Sequence, residues 1–197
     1  MANGRSRSFL RYVLLVTLAS FTVTILLSFF SEFATRRLAS IALAIAMLVV
    51  IIAINVIADI LGTAATAARE TPFHAKAAKK VFGAQQGVYL LRNADKVANF
   101  ANDFIGDIAG TLAGALGISL MVQVSRGLPA ADVVTLNVLI TALIAGLTVG
   151  GKALGKYIAV GHANEVIFLA GRVLAILQRL ASWRGGNRNS RNRKGGK

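Results

Sequence analysis

The chain has 197 residues, 55% of them hydrophobic and 15% charged, with a formal net charge of +14. A soluble domain carries about 25% charged residues; here the charge is withdrawn from long apolar stretches and gathered between them, the pattern of an integral membrane protein. There is no cysteine, which excludes disulfides, thiolate zinc sites and cysteine nucleophiles.

In chain order, the first apolar run predicts a span over 12–31, long enough to cross a hydrocarbon layer of ~30 Å as a helix. A signal peptide is the rival reading, since Arg5, Arg7 and Arg11 precede the run. The run is longer than an h-region of about 7–15 residues, and no A-x-A site follows it. Further spans are expected over 38–65, 97–122 and 133–152. With the N-terminus in the cytoplasm, only Arg36, Arg37 and Arg126 of the 22 Lys and Arg lie outside, so both termini are expected to be cytoplasmic. The expected fold is an all-α integral membrane protein of the cell (inner) membrane. It would be multi-pass, with four transmembrane helices in a single transmembrane domain over 1–183.

A cytoplasmic helical hairpin is expected over 69–95, between the second and third spans. In "TPFHAKAAKKVFG", Thr71 would cap a helix, Pro72 open it and Gly83 stop it. Phe73, Ala77 and Val81 share one face, while Lys76, Lys79 and Lys80 take the other, which suits anionic lipid headgroups at the inner leaflet. Asn93 would cap the third span. After the fourth span an amphipathic helix is expected over 163–183, with Glu165, Arg172 and Arg179 on one stripe and Trp183 at the interface. A disordered basic tail over 184–197 would follow. Its Arg, Gly and Asn resemble single-strand-binding segments, but lipid attraction and positive-inside topology explain the charge without nucleic acid.

The spans carry polar residues that hydrocarbon does not want. Asn99, Asp103 and Asp107 are spaced by four, with Asn102 beside them. Asn55 and Asp59 repeat the spacing on the second span, and Thr148, Lys152 and Lys156 on the fourth. All are expected in the inner half of the bilayer. A carboxylate at a helix centre costs about 2.5–3.5 kcal/mol on insertion scales, so Asp59, Asp103 and Asp107 need a partner or a purpose. One partner is a mobile cation, Mg²⁺ or Na⁺, held by carboxylate, amide and carbonyl oxygens. The other is built in: Lys152, with Lys156 nearer the surface, could neutralise the acids as structural glue. Spacing leaves both open.

Gly106, Gly110 and Gly114, and likewise Gly146 and Gly150, recur every four residues, so helices could approach closely within one bundle or across a dimer. "GGKALGK" lacks the phosphate-loop pattern. His74 and His162 are lone imidazoles, no nucleophile–His–acid set can be assembled, and no enzyme is expected.

Three blocks resemble a known family. "LLRNADKVANF" with "FIGDIAGTLAGALG" looks like the second conserved block of the CNNM/CorC-type transmembrane domain, of magnesium and cobalt efflux. "GGKALGKYIAVGHANEVIFLAG" is similar to its third block, and "ADILGTAATAAR" falls where its first belongs. The similarity covers about residues 45 to 183. It implies a homodimer, an inward-facing cation site and ion transport. At the ligand positions the chain departs from the pattern. The first-block glutamate falls on Ala65 and its serines near Gly62 and Ala64; the third-block glutamate falls on Lys152 and its proline on Gly155; Asp107 follows the second block's Ile-Gly. The usual cytoplasmic CBS pair is not present, which suggests a regulatory partner subunit. A rebuilt cation site and a non-transporting subunit in which Lys152 permanently neutralises the acids are the two expectations.

Overall fold

The computed structural model describes residues 3–38, 40–126 and 129–194, which are 91% helical and contain no strand. Seven helices follow one another: α1 Asn3–Leu38, α2 Ile41–Ala67, α3 Thr71–Ala78, α4 Ala84–Arg92, α5 Ala94–Val124, α6 Ala130–Gly161 and α7 Ala163–Lys194. Three stretches are long and apolar enough to cross a membrane: Ile41–Ala67, Ala94–Val124 and Asp132–Gly161. At about 1.5 Å per residue, the 27 residues of the first reach about 40 Å, more than the hydrocarbon layer requires. The span expected over 12–31 is represented by the shorter apolar stretch Val13–Phe29.

The chain divides into two compact units, residues 1–58 with 102–153, and residues 59–101 with 154–197. In the first, α1 packs along the Asp107–Val124 part of α5. Leu48 of α2 meets Ala113 and Leu116 of α5, with Met47, Ile51, Ile52 and Ile144 around them. Gly117 lets Ile144 of α6 seat against α5, where a Cβ would collide with its Cδ1. None of the most apolar stretch of α6 is buried within the chain, so lipid or another chain must cover it.

The second unit is built on small residues. Phe73 of α3 is 1% exposed and packs among Ala64, Ala65, Ala159, Ala163 and Ile167. A Cβ on Gly87 of α4 would stand 2.5 Å from its ring. Gly171 of α7 sits so close to α4 that a Cβ there would stand 2.5 Å from the Gly83 carbonyl oxygen. Gly83 takes φ +85, a left-handed backbone that only glycine adopts without strain, and it turns the chain into α4. The buried stripe of α7, Ala163, Ile167, Gly171 and Ala175, therefore fits a close neighbour.

Several local expectations shift. Glu70, not Thr71, occupies the cap position of α3, with no side-chain cap bond, and Pro72 lies in its first turn. The helix ends at Ala78, with Lys80 at φ 55, so Gly83 opens α4 rather than stopping α3. Val81 is exposed rather than sharing the buried side with Phe73. Asn93 does precede α5, but its amide donates backwards to the Tyr89 carbonyl at 2.9 Å. Helix α7 continues to Lys194 across the segment expected to be disordered, while 195–197, like the side chain of Trp183, lie outside the described residues.

Candidate functional site

Asp59 lies on the buried face of α2, which repeats at helical spacing through Ala44, Leu48, Asn55 and Ala58. The residue is 5% exposed, and its Oδ2 is a buried oxygen without a hydrogen-bond partner. Lys156 Nζ, on α6, stands 3.9 Å from that oxygen. This is ion-pair range but beyond the 2.7–3.2 Å or so of a hydrogen bond, which reconciles the pair with the unsatisfied oxygen. The lysine side chain is 58% exposed against 7% for the aspartate. A deeply buried carboxylate is thus attended, among the described residues, by one loosely held and mostly exposed ammonium. A buried charge without close partners costs several kcal/mol or so, which makes such a group a point of attraction for a cation.

Asn55 is 1% exposed and its Oδ1 also lacks a partner. Its Nδ2 faces Gly110 of α5, where a Cβ would stand 3.4 Å away. A Cβ at Gly110 would thus meet the asparagine amide at ordinary contact distance. Asn102 is half-buried and its Oδ1 is a further orphan. It lies in the widened, i→i+5 segment Phe100–Gly106 of α5, a geometry that recurs at functional sites. Here Asn102, Asp103 and Gly106 fall together, residues of low helix propensity that compete with the backbone ladder.

The acidic stripe of α5 points elsewhere. Asn99, Asp103, Asp107 and Thr111 are all exposed at i, i+4 spacing, whereas Ala98, Ala101, Ile108, Ala109, Leu112 and Ala113 are buried. The Thr111 hydroxyl donates to the Asp107 carbonyl at 2.8 Å and leaves the carboxylates outward. Among the described residues no group of three or more His, Asp or Glu is arranged to hold a metal ion. Of the expected ligand set, Asp103 and Asp107 lie on the exposed face of α5, while Asp59 lies on the buried face of α2.

On α6, Thr148 and Lys152 are half-buried, and among the described residues Lys152 forms no ion pair. The lysine that reaches a buried acid is Lys156, one turn on. Gly114, Gly146 and Gly150 have nothing within 4 Å of an added Cβ, so among the described residues they do not bring helices together; Gly106 is buried in the widened turn. Gly151 does mediate contact, a Cβ there standing 2.8 Å from Val56.

Away from the apolar spans, the Glu70 carboxylate accepts from Arg92 Nε at 3.0 Å and pairs with His74 Nε2 at 2.8 Å. The Arg92 hydrogen bond, and then that of His74, hold the Glu70 carboxyl below the usual carboxylate range. His74 is thus tied to a neighbour, and the motif closes α3 onto α4.

Comparison with protein-family models, with curated proteins and with solved structures returns no match for this chain.

Proposed function

We propose that the protein is a cation-handling membrane protein, related to magnesium-type divalent-cation transporters, in which Asp59 is the binding carboxylate and Lys156 a tethered competitor for it. One observation carries this reading: the Asp59 oxygen is buried, lacks a hydrogen bond and, among the described residues, is paired with a lysine whose side chain is mostly exposed. A carboxylate oxygen without a hydrogen bond is the chemistry that Mg²⁺ or Na⁺ accepts. The protein crosses the inner membrane four times with both termini cytoplasmic. The α3–α4 hairpin and α7 then lie at the inner leaflet, where Lys and Arg concentrate.

Asp103 and Asp107, outward on an apolar helix, would face lipid in a lone chain at a cost of several kcal/mol or so. A second copy is the cover we favour. It would also occupy the open faces of Gly114, Gly146 and Gly150.

The ion pair supports a second reading, a non-transporting subunit in which lysine neutralises the acid permanently. The lysine would be Lys156 in place of Lys152. Cation flux into proteoliposomes separates the two: flux lost in Asp59→Asn and kept or raised in Lys156→Met supports transport. No flux in the parent, with Lys156→Met destabilised, supports the subunit.

A further inference from the structure

Lys76 of α3 and Arg172 of α7 converge on one aromatic ring. Lys76 Nζ stands 4.2 Å from the centroid of Phe168, and Arg172 Cζ 4.7 Å from the same point. The ring is held in place by buried Phe73, which packs against it at a centroid distance of 6.4 Å. Arg172 is fixed as well, because its Cα and Cγ press on Gly83, whose lack of a side chain admits them. Two cations held at one ring repel each other unless an anion joins them, and among the described residues neither is paired with a carboxylate. Glu70 is committed to Arg92 and His74. Glu165 is seven residues before Arg172 on the same helix, about 10 Å along the axis.

The surroundings of Arg172 are apolar and open. Val173, Ile176, Leu177 and Leu180 of α7 are each 49% to 57% exposed, and Ile176 and Leu180 continue the i, i+4 row that begins at Arg172. A helix that docks one narrow stripe of small residues and leaves large aliphatics beside arginine has the make-up of an element lying in a membrane interface. We propose that Lys76 and Arg172 form a clamp for the phosphate of an anionic phospholipid headgroup, with the aliphatic row of α7 against its acyl chains. A free phosphate ion would answer the two cations but not the aliphatics. The clamp shares no residue with the Asp59–Lys156 pair and does not depend on cation transport.

The test uses the full chain purified in detergent, with native mass spectrometry and thermal melting on added phosphatidylglycerol, phosphatidylcholine or inorganic phosphate. Phosphatidylglycerol should stay bound and raise the Tm, phosphatidylcholine should do neither, and excess inorganic phosphate should not displace the lipid. The Lys76→Gln/Arg172→Gln double variant should bind phosphatidylglycerol about tenfold or more weakly. The charge-conserving Lys76→Arg and Arg172→Lys variants, which keep the fold and the field, should retain it. Equal binding of the two lipids, undiminished binding by the double variant, loss of binding in the charge-conserving variants, or displacement by inorganic phosphate would each overturn the proposal.

Discussion

The two units treat their polar groups in opposite ways. In residues 59–101 with 154–197, partners are found across the sequence: Glu70 with His74 and Arg92, the Arg69 amide with Asn164 Oδ1 at 2.9 Å, and Gln86 with Gln178 at 3.0 Å. In residues 1–58 with 102–153, Asn55 and Asn102 keep buried oxygens without partners, and Asp103 and Asp107 face outward from an apolar helix. Unsatisfied polar groups cost free energy wherever water is scarce. Their concentration in residues 1–58 with 102–153 is what the proposed ligand or second copy would relieve. Asp59 is the exception within the well-paired unit, and its loose lysine makes it the group to examine.

Substitutions can break this contrast, beginning with the largest expected effect. Phe73→Ala should cost about 3–5 kcal/mol, read from the Tm in detergent, because the ring fills a fully buried site. Leu116→Ala in the other unit should cost less, since lipid or detergent tails solvate an apolar side chain almost as well as its neighbours do.

Next, Gly171→Leu should destabilise by about 1–3 kcal/mol, because its side chain meets the α4 backbone. A Cβ on Gly146 meets nothing within 4 Å, so Gly146→Leu should leave the monomer's Tm unchanged. Crosslinking that weakens in Gly146→Leu would place a second copy on that face.

Glu70→Gln should have the smallest effect. The carboxyl is held below its ordinary value of 4.5 in the folded chain. Its stabilising contribution is therefore complete above 4.5 and fades as the pH falls through the lower folded value. The Tm difference between parent and variant should shrink on acidification, and a difference that grows would reverse the assignment.

The helices were legible in the sequence. Spans expected over 38–65, 97–122 and 133–152 correspond to apolar stretches at Ile41–Ala67, Ala94–Val124 and Asp132–Gly161. Glycine and proline near 72 and 83 marked the short helices. The direction of each face was not legible. In a helix bathed in lipid, inward and outward sides are alike apolar, so periodicity shows that Asn99, Asp103 and Asp107 share a stripe but not which way it points. Choosing between Lys152 and Lys156 was equally out of reach, as one turn of α6 separates a half-buried lysine from one that reaches Asp59. The widened turn at Phe100–Gly106 left only a compositional trace, and composition does not specify i→i+5 bonding.

Cation-dependent thermal stabilisation of the parent, Lys156→Met and Asp59→Asn, measured with Mg²⁺ and Na⁺, bears most directly on Asp59. If the aspartate binds a cation in competition with the tethered ammonium, at least one ion should raise the parent's Tm. Lys156→Met should then respond at lower ion concentration, and Asp59→Asn not at all. A parent and Lys156→Met indifferent to both ions, or an Asp59→Asn that responds like the parent, would contradict it.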